Sequence, residues 1–123
     1  MDLNRFKLIE LADQVSDQIW DEVGKWEYFH QNTIGKQLVR SADSISANLS
    51  EAYGRYTYPE RRLFSLYARG SMCETINWIN KAIRRNLISQ DAGNEILKSL
   101  TNISYKINGY VRSLKKSHTS SSS

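Results

Sequence analysis

The residues with the clearest chemical potential are arginines interleaved with aromatic side chains in the segment GRYTYPERRLF, residues 54–64. Six side chains carry this pattern: Arg55, Arg61, Arg62, Tyr56, Tyr58 and Phe64. Arginine binds phosphate and aromatic rings stack on unpaired bases, so the segment is typical of contacts to single-stranded or irregular nucleic acid. A second interpretation is that the rings close one end of a helical bundle while the arginines stay in water. The segment by itself leaves both interpretations open.

Basic side chains are concentrated in the later part of the chain, although the net charge is only +4. Residues 1–33 hold seven acidic and three basic side chains, whereas residues 58–88 hold two acidic and six basic ones. Such asymmetry is typical of a protein with an anionic partner, but helices that pair with one another by charge would also produce it. Cations near a helix carboxyl end, such as Arg84 and Arg85, can instead complement the helix dipole. The predicted nucleic-acid-binding residues are Arg55, Arg61, Arg62, Lys81, Arg84 and Arg85.

Groups that could carry out catalysis or hold a metal ion are scarce. His30 falls in a segment without a helical period, His118 falls near the end of the sequence, and Cys73 has apolar neighbours typical of a core position. The sequence contains no glycine-rich phosphate loop, no paired-cysteine zinc motif and no Glu-x-x-His motif. We therefore expect a protein that is not an enzyme and that needs neither a cofactor nor a metal.

The carboxylates Glu51 and Glu74 stand alone on their predicted helices, with Arg40, Arg55 and Arg69 near them in sequence or on a facing helix. Di-metal sites in bundles need several inward-facing carboxylates and histidines. Ion pairing is therefore the expected role of both glutamates, and Glu51 precedes Arg55 by the four residues that favour a pair on one helix.

The spacing of apolar residues at intervals of three and four predicts four helices. The single proline and six glycines leave long stretches free of helix breakers. The predicted spans are about residues 4–23, a second helix from 33–35 to Gly54, a third over about 59–85, and a fourth that follows Ser89. Glycine is a plausible terminator for the second helix. The segment KWEYFHQNT, residues 25–33, has no helical period and is predicted to be an irregular, aromatic-rich connection.

Local capping signals support two of these boundaries. Thr57 is the predicted cap of the third helix, with Pro59 in the first turn and Glu60 placed to reach back to the cap. Ser89 is the predicted cap of the fourth helix. Short connections between four helices predict an all-α fold, an antiparallel up-down four-helix bundle over residues 1–116.

The compartment and the end of the chain are predicted from composition. Residues 117–123, SHTSSSS, have the composition of a disordered tail. The amino terminus lacks a basic-then-apolar export signal, a lone cysteine cannot form an internal disulfide, and no stretch approaches the ~20 apolar residues of a membrane span. We expect a soluble, cytoplasmic protein with no membrane partner.

Small residues on two helices suggest close approach by a neighbour. Ser41, Ser44 and Asn48 follow one row of the second helix, where an exposed face would more often carry Glu, Lys or Gln. Gly70 in the middle of the third helix costs about 1 kcal/mol relative to alanine, a cost that a closely crossing helix or subunit would explain. The third helix also has apolar residues on two rows, more than one four-helix core can bury. We therefore predict self-association.

The row of small residues belongs to a longer run that matches a known signature. The run QLVRSADSISANLSEAYGR, residues 37–55, resembles the signature of bacterial four-helix-bundle proteins encoded by intervening sequences in 23S rRNA genes. A second block, ARGSMCE over residues 68–74, resembles the other signature of that family at the same separation. The departures are Ser46, Ser50 and Ala52, where proline, alanine and glycine are common. The resemblance spans residues 4–114.

The resemblance implies a homopentamer of up-down bundles in which the small row and Gly70 face other helices or subunits. A more distant similarity to the accessory protein of diversity-generating retroelements implies RNA or DNA and a reverse transcriptase as partners. The predicted structural and oligomer residues are Arg40, Ser44, Asn48, Glu51, Arg69, Gly70 and Glu74. Two functions follow: a nucleic-acid-associated accessory or adaptor protein, or a structural oligomer with no nucleic-acid role.

Overall fold

Helices account for nearly all of the described chain. The structure, a computed structural model, describes the backbone of residues 3–122 and the side chains of residues 5–114. The elements in chain order are α1 (Leu3–Val23), α2 (Tyr28–His30), a π-helical turn (Gln31–Gly35), α3 (Lys36–Gly54), α4 (Tyr58–Arg84) and α5 (Gln90–Ser122). The described backbone contains no strand, and the predicted all-α class is confirmed.

The four long helices that follow one another in sequence pack side by side. Helix α1 packs on α3, α3 on α4, α4 on α5, and α5 returns to α1. Each short connection reverses the chain direction, so the arrangement is the predicted antiparallel up-down four-helix bundle. Within the described residues, no helix is both long and apolar enough to span a membrane.

The predicted disordered tail over residues 117–123 lies outside the residues whose side chains the structure describes. It stays a prediction.

The core is formed by one apolar stripe from each long helix. Its largest fully buried apolar side chains are Ile19, Leu38, Ile45, Leu49, Met72, Ile79, Ile96, Leu100, Ile103 and Ile107. These positions recur every three or four residues, so each helix turns one face inward. A polar pair joins α3 to α4 inside this core, because Thr75 Oγ1 lies 2.9 Å from Ser41 Oγ, and the Ser41 hydroxyl donates to the Leu38 carbonyl at 3.0 Å.

The entrance to α3 differs from the irregular connection predicted over residues 25–33. The chain is already helical from Tyr28 and reaches α3 through the π-helical turn. The Gln31 side-chain amide donates to the Val23 carbonyl at 3.2 Å, which ties this turn to the end of α1. A Cβ on Gly35 would lie 2.8 Å from the Val23 side chain, so glycine permits the close approach of α1. The aromatic spacing did not indicate helix because the extra residue of a π turn breaks the regular period.

Local signals define both ends of α4. Thr57 Oγ1 accepts a hydrogen bond from the Glu60 backbone N–H at 3.3 Å, as predicted for the cap. At the other end Asn86 has a φ of 59°, and the Leu87 N–H donates to the Ala82 carbonyl at 2.9 Å. This left-handed residue closes the helix in a Schellman motif. Ser89 caps α5 as predicted, since its hydroxyl accepts from the Ala92 N–H at 3.1 Å.

Of the two apolar rows predicted on α4, the one that contains Ala68, Met72 and Ile79 is buried in the core. The second predicted row is only partly covered: Leu66 packs against the core, whereas Leu63 is 44% exposed. We call the exposed side of α4, which includes Leu63 and the 50% exposed Tyr67, the outer row. Cys73 is exposed as well, so the expectation that it fills a core position is wrong. It follows the outer row of α4, which the other helices of this chain leave uncovered.

Gly54 ends α3, as predicted, but without the backbone conformation that favours glycine. No glycine among the described residues has a positive φ, and Arg55 continues in an extended conformation with φ −86° and ψ 150°. The helix therefore ends by turning into an extended connection that leads to the cap at Thr57.

Candidate functional site

The arginine-aromatic segment forms the connection between α3 and α4, and the structure divides it between two roles. The Arg55 guanidinium lies 4.6 Å from the ring centroid of Phe64 and pairs with Glu51. The Arg61 Nε donates to the Arg55 carbonyl at 2.6 Å. These two arginines therefore hold the connection together, a role that neither interpretation of the segment assigned to them.

Two other members of the segment are free to contact a ligand. Tyr56 is 95% exposed, and Arg62 is exposed on the first turns of α4. An exposed tyrosine can stack on a base, and an exposed guanidinium can contact phosphate. Tyr58 and Phe64 are instead half-buried and lie against Arg61 and Arg55. Tyr56 and Arg62 are therefore the residues of this segment best placed to bind nucleic acid.

The six predicted nucleic-acid-binding residues do not form one surface. Arg55, Arg61 and Arg62 lie where α3 gives way to α4, which we call the connection end. Lys81, Arg84 and Arg85 lie in or just after the last turn of α4, about 30 to 35 Å from Arg61 and Arg62 by the rise of an α-helix. The Lys81 ammonium lies 4.6 Å from the ring centroid of Trp78, whereas Arg84 and Arg85 are exposed. The structure thus separates the predicted set into two clusters.

The charge asymmetry of the sequence is not used to join the helices. Among the side chains of residues 5–114, the ion pairs are Lys25 with Glu22 at 3.6 Å and Arg55 with Glu51. Both join residues three or four positions apart, so within this part of the chain no ion pair connects acidic α1 to basic α4 or α5. Helix pairing therefore does not explain the surplus of cations on the later helices.

The predicted structural and oligomer residues of α3 are mostly satisfied by their own helix. The Ser44 hydroxyl donates to the Arg40 carbonyl at 2.8 Å, and the Asn48 amide donates to the Ser44 carbonyl at 2.9 Å. Glu51 forms the predicted ion pair with Arg55. This row leaves short side chains on a surface that needs no further polar partner.

The predicted oligomer residues of α4, namely Arg69, Gly70 and Glu74, form no polar contacts with the small residues of α3 among the described side chains. The Arg69 guanidinium donates to Asn108 Oδ1 on α5 at 3.2 Å, and Glu74 forms no ion pair with any described side chain. A Cβ on Gly70 would meet nothing within 4 Å among the described atoms. Among the described residues no helix therefore crosses Gly70 closely, and the approach of a second subunit at this glycine stays a prediction.

Two groups of exposed apolar side chains occupy different parts of the surface. Leu63 and Tyr67 belong to the outer row of α4. Trp20, Tyr28 and Phe29 lie at the end of α1 and on α2, and each is more than half exposed. Large exposed apolar residues that cluster in this way mark interaction surfaces more often than isolated ones do.

The described side chains offer no arrangement that would hold a metal ion. No group of three His, Cys, Asp or Glu side chains comes together among them. His30 contacts the Phe29 ring edge-on at a centroid distance of 5.5 Å, and the side chain of His118 lies outside the described residues. Binding through surface charge and aromatic rings remains as the chemistry that these residues can supply.

Sequence reasoning missed a second cationic group near the connection end. Arg5, Lys7 and Lys106 line one pocket with Tyr53 and Tyr110. The acidic balance of residues 1–33 concealed the first two, and Lys106 is about 100 residues away from them in sequence. Only the antiparallel order of the helices, which brings the start of α1 to the later half of α5, could have indicated this group.

The four packed helices define a helical-bundle protein, and exposed cations lie near both ends of α4. The model of the family described as 23S rRNA-intervening sequence protein matches residues 4–109. The chain belongs to this family, which confirms the resemblance noted in the sequence.

A solved structure supports the fold independently. A protein of unknown function from the S23 ribosomal protein family of Bacteroides thetaiotaomicron VPI-5482 superposes with a TM-score of 0.80 over 89% of this chain and 99% of its own, at 20% sequence identity. At this identity the likeness shows the fold alone. No protein of curated function matches the sequence.

Proposed function

We propose that the protein is a non-enzymatic, homo-oligomeric accessory protein that associates with nucleic acid. The observation that carries this proposal is the exposure of both Tyr56 and Arg62 at the connection end, where Arg62 has no carboxylate partner among the described side chains. Phosphate contacts from unpaired cations supply sequence-independent affinity, and exposed rings add stacking on unpaired bases. The expected ligand is structured RNA or DNA with unpaired segments, bound with little sequence preference.

The two exposed apolar groups support self-association of a particular kind. In a twofold dimer the same surface of each subunit meets its copy, whereas in a ring one surface of each subunit packs on a different surface of the next. The outer row of α4 and the aromatic group at the end of α1 are two different surfaces of this kind. A closed ring would cover both, and five is the subunit number that the family resemblance implies.

A ring would strengthen nucleic-acid binding by repetition. Each subunit brings a net charge of +4, and a ring places several copies of Tyr56 and Arg62 on one particle. Contacts that are weak in one subunit then act together, because each later contact forms at high effective concentration. Lys81, Arg84 and Arg85 form a second cationic cluster that such a particle would also repeat. A reverse-transcriptase partner and a cytoplasmic location stay predictions.

The test compares a double variant at the connection end with a charge-matched control. In gel shifts at about 50 mM salt, Tyr56→Ala combined with Arg62→Ala should weaken binding of structured RNA by about tenfold or more. Lys98→Ala removes one exposed cation from α5 far from the connection end, and it should leave binding nearly unchanged. We avoid substitution of Arg61, because its hydrogen bond to Arg55 supports the connection itself.

Two results would overturn the nucleic-acid part of the proposal. One is the absence of any complex between the wild-type protein and either RNA or DNA. The other is equal binding by the double variant and the wild type. In both cases the exposed cations are a solvated surface, and the role that remains is that of a structural oligomer.

A further inference from the structure

A pocket with a volume of about 470 Å³ lies where the start of α1, the end of α3 and the later half of α5 meet. Arg5, Lys7 and Lys106 contribute three positive charges to its lining, and no carboxylate among the side chains of residues 5–114 lines it. Pockets of this size commonly hold small organic ligands. The sign of the lining charge selects an anion.

Arg5 contacts two aromatic rings within this pocket. Its guanidinium carbon lies 5.5 Å from the ring centroid of Tyr53 and 5.6 Å from that of Tyr110, which is within the range of a cation–π interaction. The two rings meet edge to face at a centroid distance of 5.0 Å. The N–H groups of a guanidinium lie in one plane, where they can form the paired hydrogen bonds that phosphate and carboxylate oxygens accept.

The cations of the pocket are not neutralised by the part of the chain that the structure describes. None of the ion pairs formed among residues 5–114 includes Arg5, Lys7 or Lys106. Three uncompensated cations match a doubly charged group better than a singly charged one, and a phosphate monoester carries a charge of about −1.5 to −2 at pH 7. Leu8, Leu11 and Ser113 complete the lining, and the two leucines give it an apolar side that an organic group can cover.

We infer that this pocket binds a small organic phosphate monoester, the class to which a nucleoside monophosphate belongs. The phosphate contacts the Arg5 guanidinium, Lys7 and Lys106 add positive charge to the lining, and the organic group packs on the leucine side. This binding does not depend on the nucleic-acid association proposed above, because Tyr56 and Arg62 do not line the pocket.

The inference is tested by titration calorimetry of the full chain with adenosine 5′-monophosphate, inorganic phosphate and adenosine. We expect saturable binding of adenosine 5′-monophosphate with a dissociation constant of about 1 mM or lower, weaker binding of inorganic phosphate, and no binding of adenosine. Arg5→Gln and Lys106→Gln should each weaken the binding by about tenfold, because each removes a charged hydrogen-bond donor. Lys98→Gln removes an exposed lysine of α5 that does not line the pocket, and it should bind like the wild type.

Each remaining outcome contradicts the inference. No saturable binding up to about 10 mM would exclude the site, and equal affinity of all three variants would place the ligand elsewhere. Equal affinity for inorganic phosphate and the nucleotide would contradict the inference that the organic group of the ligand packs on the leucine side of the pocket. Tyr56→Ala combined with Arg62→Ala should leave nucleotide binding unchanged, so failure of this inference and failure of the proposed function can be told apart.

Discussion

Leu100 shows how much of the stability rests on single core side chains. It is completely buried in the stripe of α5. Leu100→Ala should lower the free energy of unfolding by about 2 to 5 kcal/mol, since truncation removes buried surface and leaves a cavity. Urea denaturation measures this loss. Thr101→Ala at the neighbouring exposed position should change it by less than about 0.5 kcal/mol, and comparable losses in both variants would contradict the assigned core.

The sequence showed which residues could bind a ligand or fill the core, but it did not show the direction in which each side chain points. Arg61 and Arg62 are adjacent and chemically identical, yet Arg61 binds a backbone carbonyl while Arg62 is exposed. Cys73 has apolar neighbours in sequence, but it lies on the outer row of α4. Such differences depend on the position of each side chain around its helix relative to the other three helices. The neighbouring residues in the sequence do not specify that position.

Helix boundaries were predicted where the signal is local. The cap at Thr57 and the cap at Ser89 are formed by hydrogen bonds within four residues, and both were read from the sequence. The π-helical turn before α3 depends on contacts of Gln31 and Gly35 with the end of α1. Those contacts exist only after the helices have packed, so no pattern within residues 25–35 indicated them.

The packing of α5 on α4 predicts opposite effects on stability for alanine substitutions at two glycines of α5. A Cβ on Gly93 would lie 2.5 Å from side-chain atoms of Ile83, whereas a Cβ on Gly109 would meet its nearest neighbour at 3.9 Å. Gly93→Ala should therefore destabilise the protein by about 1 to 3 kcal/mol, because Ile83 must move. Gly109→Ala should stabilise it by up to about 1 kcal/mol through helix propensity.

Thermal unfolding of the two alanine variants measures the difference, and a third variant tests its cause. Ile83→Val shortens the opposing side chain, so its combination with Gly93→Ala should cost less than the sum of the two single changes. If Gly93→Ala stabilised the protein as Gly109→Ala does, the close approach of α4 and α5 at this level would be wrong.

At the scale of the whole molecule, the charge distribution could be counted from the sequence but not located. Segment charges predicted a basic later half, and the later helices do carry it. The antiparallel order then places Arg5 and Lys7 from the acidic segment beside Lys106, and it separates Arg62 from Arg84 and Arg85 by the length of α4. Charge balance along the chain is therefore consistent with an anionic partner, but it could not define a binding surface.

Self-association predicts that a large residue at Gly70 disrupts the oligomer and not the fold. The position is open within the chain, and leucine favours helix over glycine by about 0.5 to 1 kcal/mol. Gly70→Leu should therefore be as helical and as resistant to unfolding as the wild type, yet have a monomer mass by light scattering. Thr101→Leu, at an exposed position of α5, should keep the wild-type mass. A monomeric wild-type protein at micromolar concentration would contradict self-association altogether.

The proposed function depends on an oligomer that concentrates cations on one particle to bind nucleic acid. The most direct test is the salt dependence of nucleic-acid binding, measured for the wild type and for Gly70→Leu. Each neutralised phosphate releases counterions, so the slope of log K against log salt between about 50 and 200 mM reports how many phosphates a particle contacts. The wild type should bind more tightly and show the steeper slope, because one ring presents several copies of Arg62 to the same nucleic acid. Equal affinity and equal slope for the two proteins, or no binding by the wild type at about 50 mM salt, would contradict this function.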